Sequence, residues 1–422
     1  MKKNLFAWLF YDVGNSFLMA SLGGMYLAQW VVIDNKFDDI WYGGTFALAT
    51  LLVLIFSPFL GAWSDGIGKR LPFIKWLTLA IILFAGLLAF TAISNIPVRL
   101  RVLTVLGLAV IVQCLYQMSL IFYNSLLETV STEKNRGRVC GLGEAFNNIG
   151  WILATAVFLL FAEKKLTLIG EPGRAQVFLP AFLALVIFSL PLLFLFREKP
   201  RIKTGFTKIG LAAIYKKTIG GFKKLFSRNK NVAIFLIGFS LVSDAILTFQ
   251  LYFAITMESI YKMTDTNKFV ILALMFFSLI LASYFLGKLS DRIGSKKIII
   301  LSCVGLIIVF SIAFLSSNPI TLWFVAVFAG VGWAGYYVGT RALMVKISPP
   351  AQLGEYFGLY STFQRFASIF GPLIWGACTL LLKNEGVFKY RVAGLALAFV
   401  MLAGTILLFK VKEESYVSPI SG

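Results

Sequence analysis

Three acidic residues, Asp12, Glu144 and Asp244, lie inside long apolar runs of a 422-residue chain. A charge at the centre of a bilayer costs roughly 2.5–3.5 kcal/mol on insertion scales, so such residues face a partner or a water-filled path. The chain has no histidine. A proton bound near neutral pH must therefore sit on a carboxylate, and removal from water favours the protonated form. Polar neighbours extend each site along one helix face. Asp12, Asn15 and Ser16 stand at i, i+3 and i+4; Glu144, Asn147 and Asn148 repeat that spacing, and so do Ser361, Gln364 and Arg365. Three further stripes hold Gln113, Tyr116, Gln117, Tyr123 and Asn124; Ser240, Ser243, Asp244 and Thr248; and Trp333, Tyr336, Tyr337, Thr340 and Arg341. Pointing inward, six such stripes make a path that binds a polar solute and a proton or monovalent cation. Turned against each other, the same residues only join helices by hydrogen bonds or buried ion pairs.

The elements that must carry these stripes follow from composition. Hydrophobic residues make up 59% of the chain, and the 14% that are charged fall in clusters between apolar stretches. A helix crosses hydrocarbon in about 20 residues. The apolar runs predict spans at 5–33, 41–63, 72–94, 100–128, 138–162 and 176–196, then at 231–259, 267–288, 297–316, 320–346, 354–382 and 389–410. This is an all-α membrane protein of twelve transmembrane helices. Its organisation is a first half at 1–196, a basic linker at 197–230 and a second half at 231–422. The amino end runs straight into an apolar segment without a cleavage site, so the first helix is expected to stay as an anchor.

The net charge of +20 is not a nucleic-acid footprint, because the lysines and arginines occupy short connections between spans. Lys69, Arg70 and Lys75, then Lys134, Arg136 and Arg138, then Arg292, Lys296 and Lys297 share one side with the 197–230 run. That side, with both termini, is expected to be cytoplasmic in a cell (inner) membrane. The linker's basic run suits anionic headgroups. The four cysteines have no metal-ligand spacing. There is no GxxxxGK[ST] loop to bind ATP. Neither an enzyme, a metal nor a cofactor is expected, and the chain is expected to act as a monomer.

The halves repeat each other. Gly61, Asp65, Gly68, Lys69 and Arg70 follow the second span, and Gly287, Asp291, Gly294, Lys296 and Lys297 follow the eighth. Asn124 precedes Gly137 by the thirteen residues that separate Arg341 from Gly354. Two parallel copies of one six-helix unit are predicted.

This doubled G-x-x-x-D-x-x-G loop with its basic residues resembles the signature of the major facilitator superfamily. Within it, Tyr11-Asp12-Val13-Gly14-Asn15-Ser16-Phe17 resembles the opening of the vacuolar-effluxer-like family. Tyr123-Asn124, Arg136-Gly137-Arg138-Val139 and Gly141-Leu142-Gly143 resemble its fourth and fifth spans. Glu355, Phe357-Gly358-Leu359-Tyr360 and Gly371-Pro372-Leu373 resemble its eleventh. Val13-Gly14 departs from a Trp-Ala pair, and Glu128 stands where that family has proline. The resemblance implies the major facilitator fold, with spans 1, 4, 7 and 10 lining the path, and efflux of amino acids as in fungal vacuoles. Gly68-Lys69-Arg70-Leu71-Pro72-Phe73-Ile74 also resembles the glycoside/cation symporters.

The expected function is secondary active transport of a small polar solute, an amino acid or similar zwitterion, by alternating access with proton coupling. Cation-coupled transport of a sugar, glycoside or nucleoside is an alternative; a non-transporting receptor or scaffold is another. Glu144, two turns into its span and so expected to be buried, leads the coupling candidates, before Asp12 and Asp244. Asn15, Gln113, Tyr116, Gln117, Tyr123, Asn124, Asn147, Asn148, Trp333, Tyr336, Tyr337, Gln364 and Arg365 are the substrate-cavity candidates. Gly61, Asp65, Arg70, Glu128, Arg138, Gly287, Asp291 and Arg341 are the gating candidates. In that reading Asp65 meets the amino end of span 11 and Asp291 that of span 5, where the helix dipole favours a carboxylate.

Overall fold

The computed structural model describes residues 2–67, 69–132, 136–198, 220, 229–349 and 353–413; side chains at 58–59, 61–67, 128, 136–138, 140 and 353–355 lie outside the description. The described chain is helical. The first unit holds α1 (Lys2–Asp34), α2 (Asp39–Ile67), α3 (Leu71–Ala92), α4 (Val98–Ser125), α5 (Arg136–Ala162) and α6 (Phe178–Phe194). The second holds α7 (Lys230–Tyr261), α8 (Asp265–Ile293), α9 (Ser295–Leu315), α10 (Ile320–Ile347), α11 (Leu353–Phe366), α12 (Phe370–Leu381) and α13 (Phe388–Lys410). The units divide at Met1–Thr218 and Ile219–Gly422.

Eleven helices among the described residues are long and apolar enough to cross a bilayer. Together α11 and α12 make the twelfth crossing. The sequence predicts one helix at 354–382, and the interruption has a covalent cause. Pro372 has no amide hydrogen to give Ser368, and its ring crowds that carbonyl. The chain tightens instead, with Ser368 N donating to Arg365 O at 3.0 Å and Ile369 N to Phe366 O at 3.3 Å. In α1 the turns Ala20–Gly24 and Trp30–Asp34 are π-helical, the first ending on Gly23 and Gly24.

Local chemistry sets the other boundaries. Asn229 caps α7 by accepting from Val232 N at 3.3 Å, and Thr264 caps α8 by accepting from Asn267 N at 3.3 Å. Lys262 ends α7 in the left-handed region, at φ 55°. α4 starts behind Pro97, and α3 carries Pro72 in its first turn.

Packing follows one scheme in both units. In the first, α1 lies against α5 and α6, while α4 lies against α2 and α3. In the second, α7 lies against α11, α12 and α13, while α10 lies against α8 and α9. Small residues allow the closest crossings. A Cβ on Gly238 of α7 would lie 2.9 Å from Gly404 O, and one on Gly404 of α13 would lie 2.9 Å from Gly238 O. Outward faces are apolar, with Phe194, Trp76, Phe285 and Phe399 each at least 66% exposed; those faces suit lipid rather than water.

Candidate functional site

In the first unit the polar stripes of α1, α4 and α5 converge. Asp12 is half-buried, close to Tyr123 of α4 and to Asn147 and the charge of Glu144 on α5. Asn147 Nδ2 donates to Ser16 Oγ at 3.1 Å. The crossing is tight, because a Cβ on Gly150 would lie 2.8 Å from that of Ser16. Asn15 is fully buried and completes no side-chain hydrogen bond.

Several cavity candidates are committed to hydrogen bonds between or within the helices. Tyr123 is 3% exposed; its hydroxyl donates to Trp8 O at 3.1 Å, and Trp8 Nε1 donates to Tyr123 O at 3.2 Å. Gln117 Nε2 donates to Thr50 Oγ1 at 3.1 Å, and Asn148 Nδ2 to Glu144 O of its own helix at 2.9 Å. Tyr336 is enclosed, with its hydroxyl 2.8 Å from both Ser243 Oγ and Phe239 O. Half-buried Gln113, Tyr116, Tyr337, Gln364 and Arg365 are freer, as is buried Trp333, whose Nε1 has no partner. Asn124 is exposed at the end of α4. Glu144 corrects an expectation: its side chain is exposed rather than buried, because α5 packs on α1 through Asn147 and Gly150.

Asp244, on α7, is 2% exposed and neither carboxyl oxygen completes a hydrogen bond, although the Gly371 amide approaches it. Thr248, one turn on, is 1% exposed with its hydroxyl also unpartnered. Of the gating candidates, Asp291 and Arg341 are exposed and Arg70 and Gly287 half-buried. Gly61, Asp65, Glu128 and Arg138 lie outside the described side chains.

One arrangement went unread in the sequence. At the basic end of the first unit, Asn4 Nδ2 donates to Arg197 O at 2.7 Å and Arg197 N to Asn4 Oδ1 at 3.1 Å. The next residue, Glu198, accepts from the first amides of α3: Arg70 N at 2.9 Å and Leu71 N at 2.8 Å. The second unit repeats it. Asn231 exchanges bonds of 2.9 and 2.8 Å with Lys412, and Glu413 accepts from Ser295 N at 2.8 Å and Lys296 N at 3.0 Å at the start of α9. A carboxylate is favoured at a helix amino end. Gly294 makes room: its φ is 98°, and a Cβ there would lie 2.9 Å from Glu413 Oε2. Lys346 adds an ion pair to Glu413 at 2.8 Å. Burial pushes the Glu413 carboxyl upward, but Lys346 and the two amides outweigh it and hold it below the usual range. The signal was present as Lys3-Asn4 and Lys230-Asn231 opening the two halves, and Arg197-Glu198 and Lys412-Glu413 closing them.

At the opposite end of α7, Lys268 is fully buried between Glu258 at 2.5 Å and Asp265 at 2.7 Å. A separate cavity of about 440 Å³ in the first unit is lined by Trp30, Asn35, Arg101 and Lys164 and by the pair Asp34–Arg174, 2.7 Å apart.

Residues 235–421 match the family model of the Major Facilitator Superfamily. The nucleoside transporter NupG superposes with a TM-score of 0.73 at 17% identity, over 97% of this chain and 100% of that one. The second half of the chain thus matches that superfamily, and the whole chain shares the fold of such a transporter. Two relatives extend the match beyond the second half. The "Uncharacterized MFS-type transporter YxiO" of Bacillus subtilis (strain 168) is 24% identical over 388 residues, 88% of this chain and 85% of that protein. Autophagy-related protein 22 of Eremothecium gossypii is 24% identical over 380 residues, 79% of this chain and 71% of that protein. The bacterial Spinster homologue in its inward-facing, occupied form has a TM-score of 0.75 at 12% identity, over 98% of this chain and 97% of that one. These likenesses give the chain the fold of those transporters, that of a multi-pass membrane protein.

Proposed function

We propose that the protein carries a small zwitterionic solute, an amino acid or a close relative, across a membrane by alternating access coupled to protons. The observation that carries the reading is the convergence of half-buried Asp12 with Asn147 between apolar helices, with the charge of exposed Glu144 beside them. Charges kept in such a place at that cost mark a transport path. The first unit offers carboxylates to an ammonium group. The second offers Arg365, half-buried and without an ion pair among the described residues, to a carboxylate. The likeness to Autophagy-related protein 22 agrees with the resemblance to the vacuolar-effluxer-like family, which implies amino-acid efflux. In this reading the basic ends and both termini face the cytoplasm from a cell (inner) membrane, and the Asp65 and Asp291 loops form a latch that holds the outward-open state.

A nucleoside is the second reading, favoured by the fold likeness to NupG, by half-buried Gln113 in the first unit and by Gln364, Trp333 and Tyr337 in the second. Counterflow in proteoliposomes loaded with amino acids, nucleosides or sugars separates the two. Counterflow with nucleosides but no amino acid replaces the first reading with the second; counterflow with none sinks both.

A further inference from the structure

We propose that Asp244 is the acid that carries the coupling proton, and that the interrupted crossing α11–α12 controls its release. The assignment rests on the proton-driven reading above. Asp244 lies 14 residues into α7, about 21 Å along the helix. The nearest charges on its own helix, Lys230 and Glu258, are each 14 residues away. Four elements pack on α7: α10, α11, α12 and α13. From α10 the facing group is Tyr336, bound to Ser243. α11 brings Tyr360 and Arg365, and no ion pair joins Arg365 to Asp244 among the described residues. α12 has no charge and one thiol, Cys378; α13 keeps Lys389, Arg391 and Lys410 near its ends. An ionised carboxylate enclosed without a partner is unstable, so in this arrangement Asp244 holds its proton.

The same helix supplies the opposite influence. Asp244 and Thr248 face the first turn of α12, where a Cβ on Gly371 would lie 3.0 Å from Asp244 Oδ1 and would overlap Thr248 Oγ1. Pro372 follows without an amide hydrogen. The amino end of α12 carries positive potential and favours the carboxylate. A small shift of α12 along α7 completes or removes that stabilisation. The carboxylic acid then becomes a carboxylate, and its proton passes to water entering the path. Trp375, stacked on Tyr252 at 4.6 Å, is the pivot that keeps α12 on α7 during the shift. An alkali ion does not suit the site. It needs several converging oxygens, and here a positive helix end stands among only the Asp244 carboxyl and the Thr248 hydroxyl.

The proton itself is the first probe. Infrared titration of the purified full-length protein reads the C=O stretch of protonated carboxyls. A band that persists at neutral pH should disappear in Asp244→Asn and remain in Glu385→Gln, an exposed loop control. In Gly371→Ala its midpoint should rise, because the methyl group holds the carboxyl away from the α12 amides. A neutral-pH band that survives in a folded Asp244→Asn overturns the assignment, and so does an unchanged midpoint in folded Gly371→Ala. The second probe is transport of the amino-acid panel in proteoliposomes. Asp244→Asn should lose at least tenfold in pH-gradient-driven uptake and keep counterflow. Full gradient-driven uptake by that variant overturns the proposal. Absence of any gradient dependence in the unaltered protein overturns the proton-driven reading instead, and the infrared arm tells the two failures apart.

Discussion

Glu413 lies 2.8 Å from the amide nitrogen of Ser295, and in the other unit Glu198 lies 2.8 Å from that of Leu71. Each acid closes the basic end of its unit by joining the last helix to the third. Replacing a capping carboxylate costs typically about 0.5–2 kcal/mol. Glu413→Gln and Glu198→Gln should each lower the detergent-solubilised unfolding temperature by a few degrees. Lys346→Ala should cost less, because its pair with Glu413 is half-exposed. The pH dependence has a fixed sign. The Glu413 carboxyl is held below its usual range, so its contribution is whole above the ordinary carboxylate pKa of about 4.3 and disappears as pH falls through the folded value. Unfolding temperatures of the parent and Glu413→Gln should converge in acid and diverge near neutrality; a constant gap would refute the staple.

Lys268 has no exposure and two carboxylate partners. Lys268→Met leaves two acids facing each other without their cation, and breaking a buried pair costs about 3–5 kcal/mol. Low yield or early unfolding is expected. The triple variant Lys268→Met, Glu258→Gln, Asp265→Asn should recover most of the loss. A triple variant no better than the single one would show that the cluster acts by shape rather than by charge.

The α7–α13 crossing tests packing directly. Neither Gly238 nor Gly404 has room for a side chain against the other's carbonyl. Gly404→Val should destabilise by about 1–3 kcal/mol, the usual range for overpacking. Gly305, where an added Cβ meets nothing within 4 Å, is the matched control and should tolerate Val within about 0.5 kcal/mol.

The proposed latch predicts a change in accessibility rather than in affinity. Asp65→Ala and Asp291→Ala should raise the labelling of single cysteines reached from the cytoplasmic side, lower it from the outside and slow counterflow. Ligand-induced thermal shifts should stay within twofold. Unchanged labelling with normal transport would leave these loops as topology signals alone.

The twelve crossings were legible because apolar runs long enough to span a bilayer leave little other choice, and the doubled Gly–Asp loops fixed the two-unit plan. The break within the eleventh crossing was also in the sequence, as Gly371-Pro372, but it was read as a family motif rather than as a missing amide hydrogen. Glu198 was hidden at the start of the basic linker, because its donors are backbone amides some 127 residues away that no side-chain pattern reveals. The stripes were harder. Tyr123 and Gln113 share a helix face, yet one hydroxyl is spent on Trp8 O while the other side chain keeps an unpartnered oxygen. Helical spacing chooses the face and not the partner. Glu144 was expected to be buried from its depth in α5, but depth along a helix does not say which side the neighbours cover.

The two staples also order the making of the protein. In each unit the closing acid is translated after the final helix, when its amide donors have long been made. Glu198 leaves the ribosome before any residue of α7, and domains generally form amino end first during synthesis. The first unit can thus tie off its basic end, Asn4 against Arg197, while the second is still unmade.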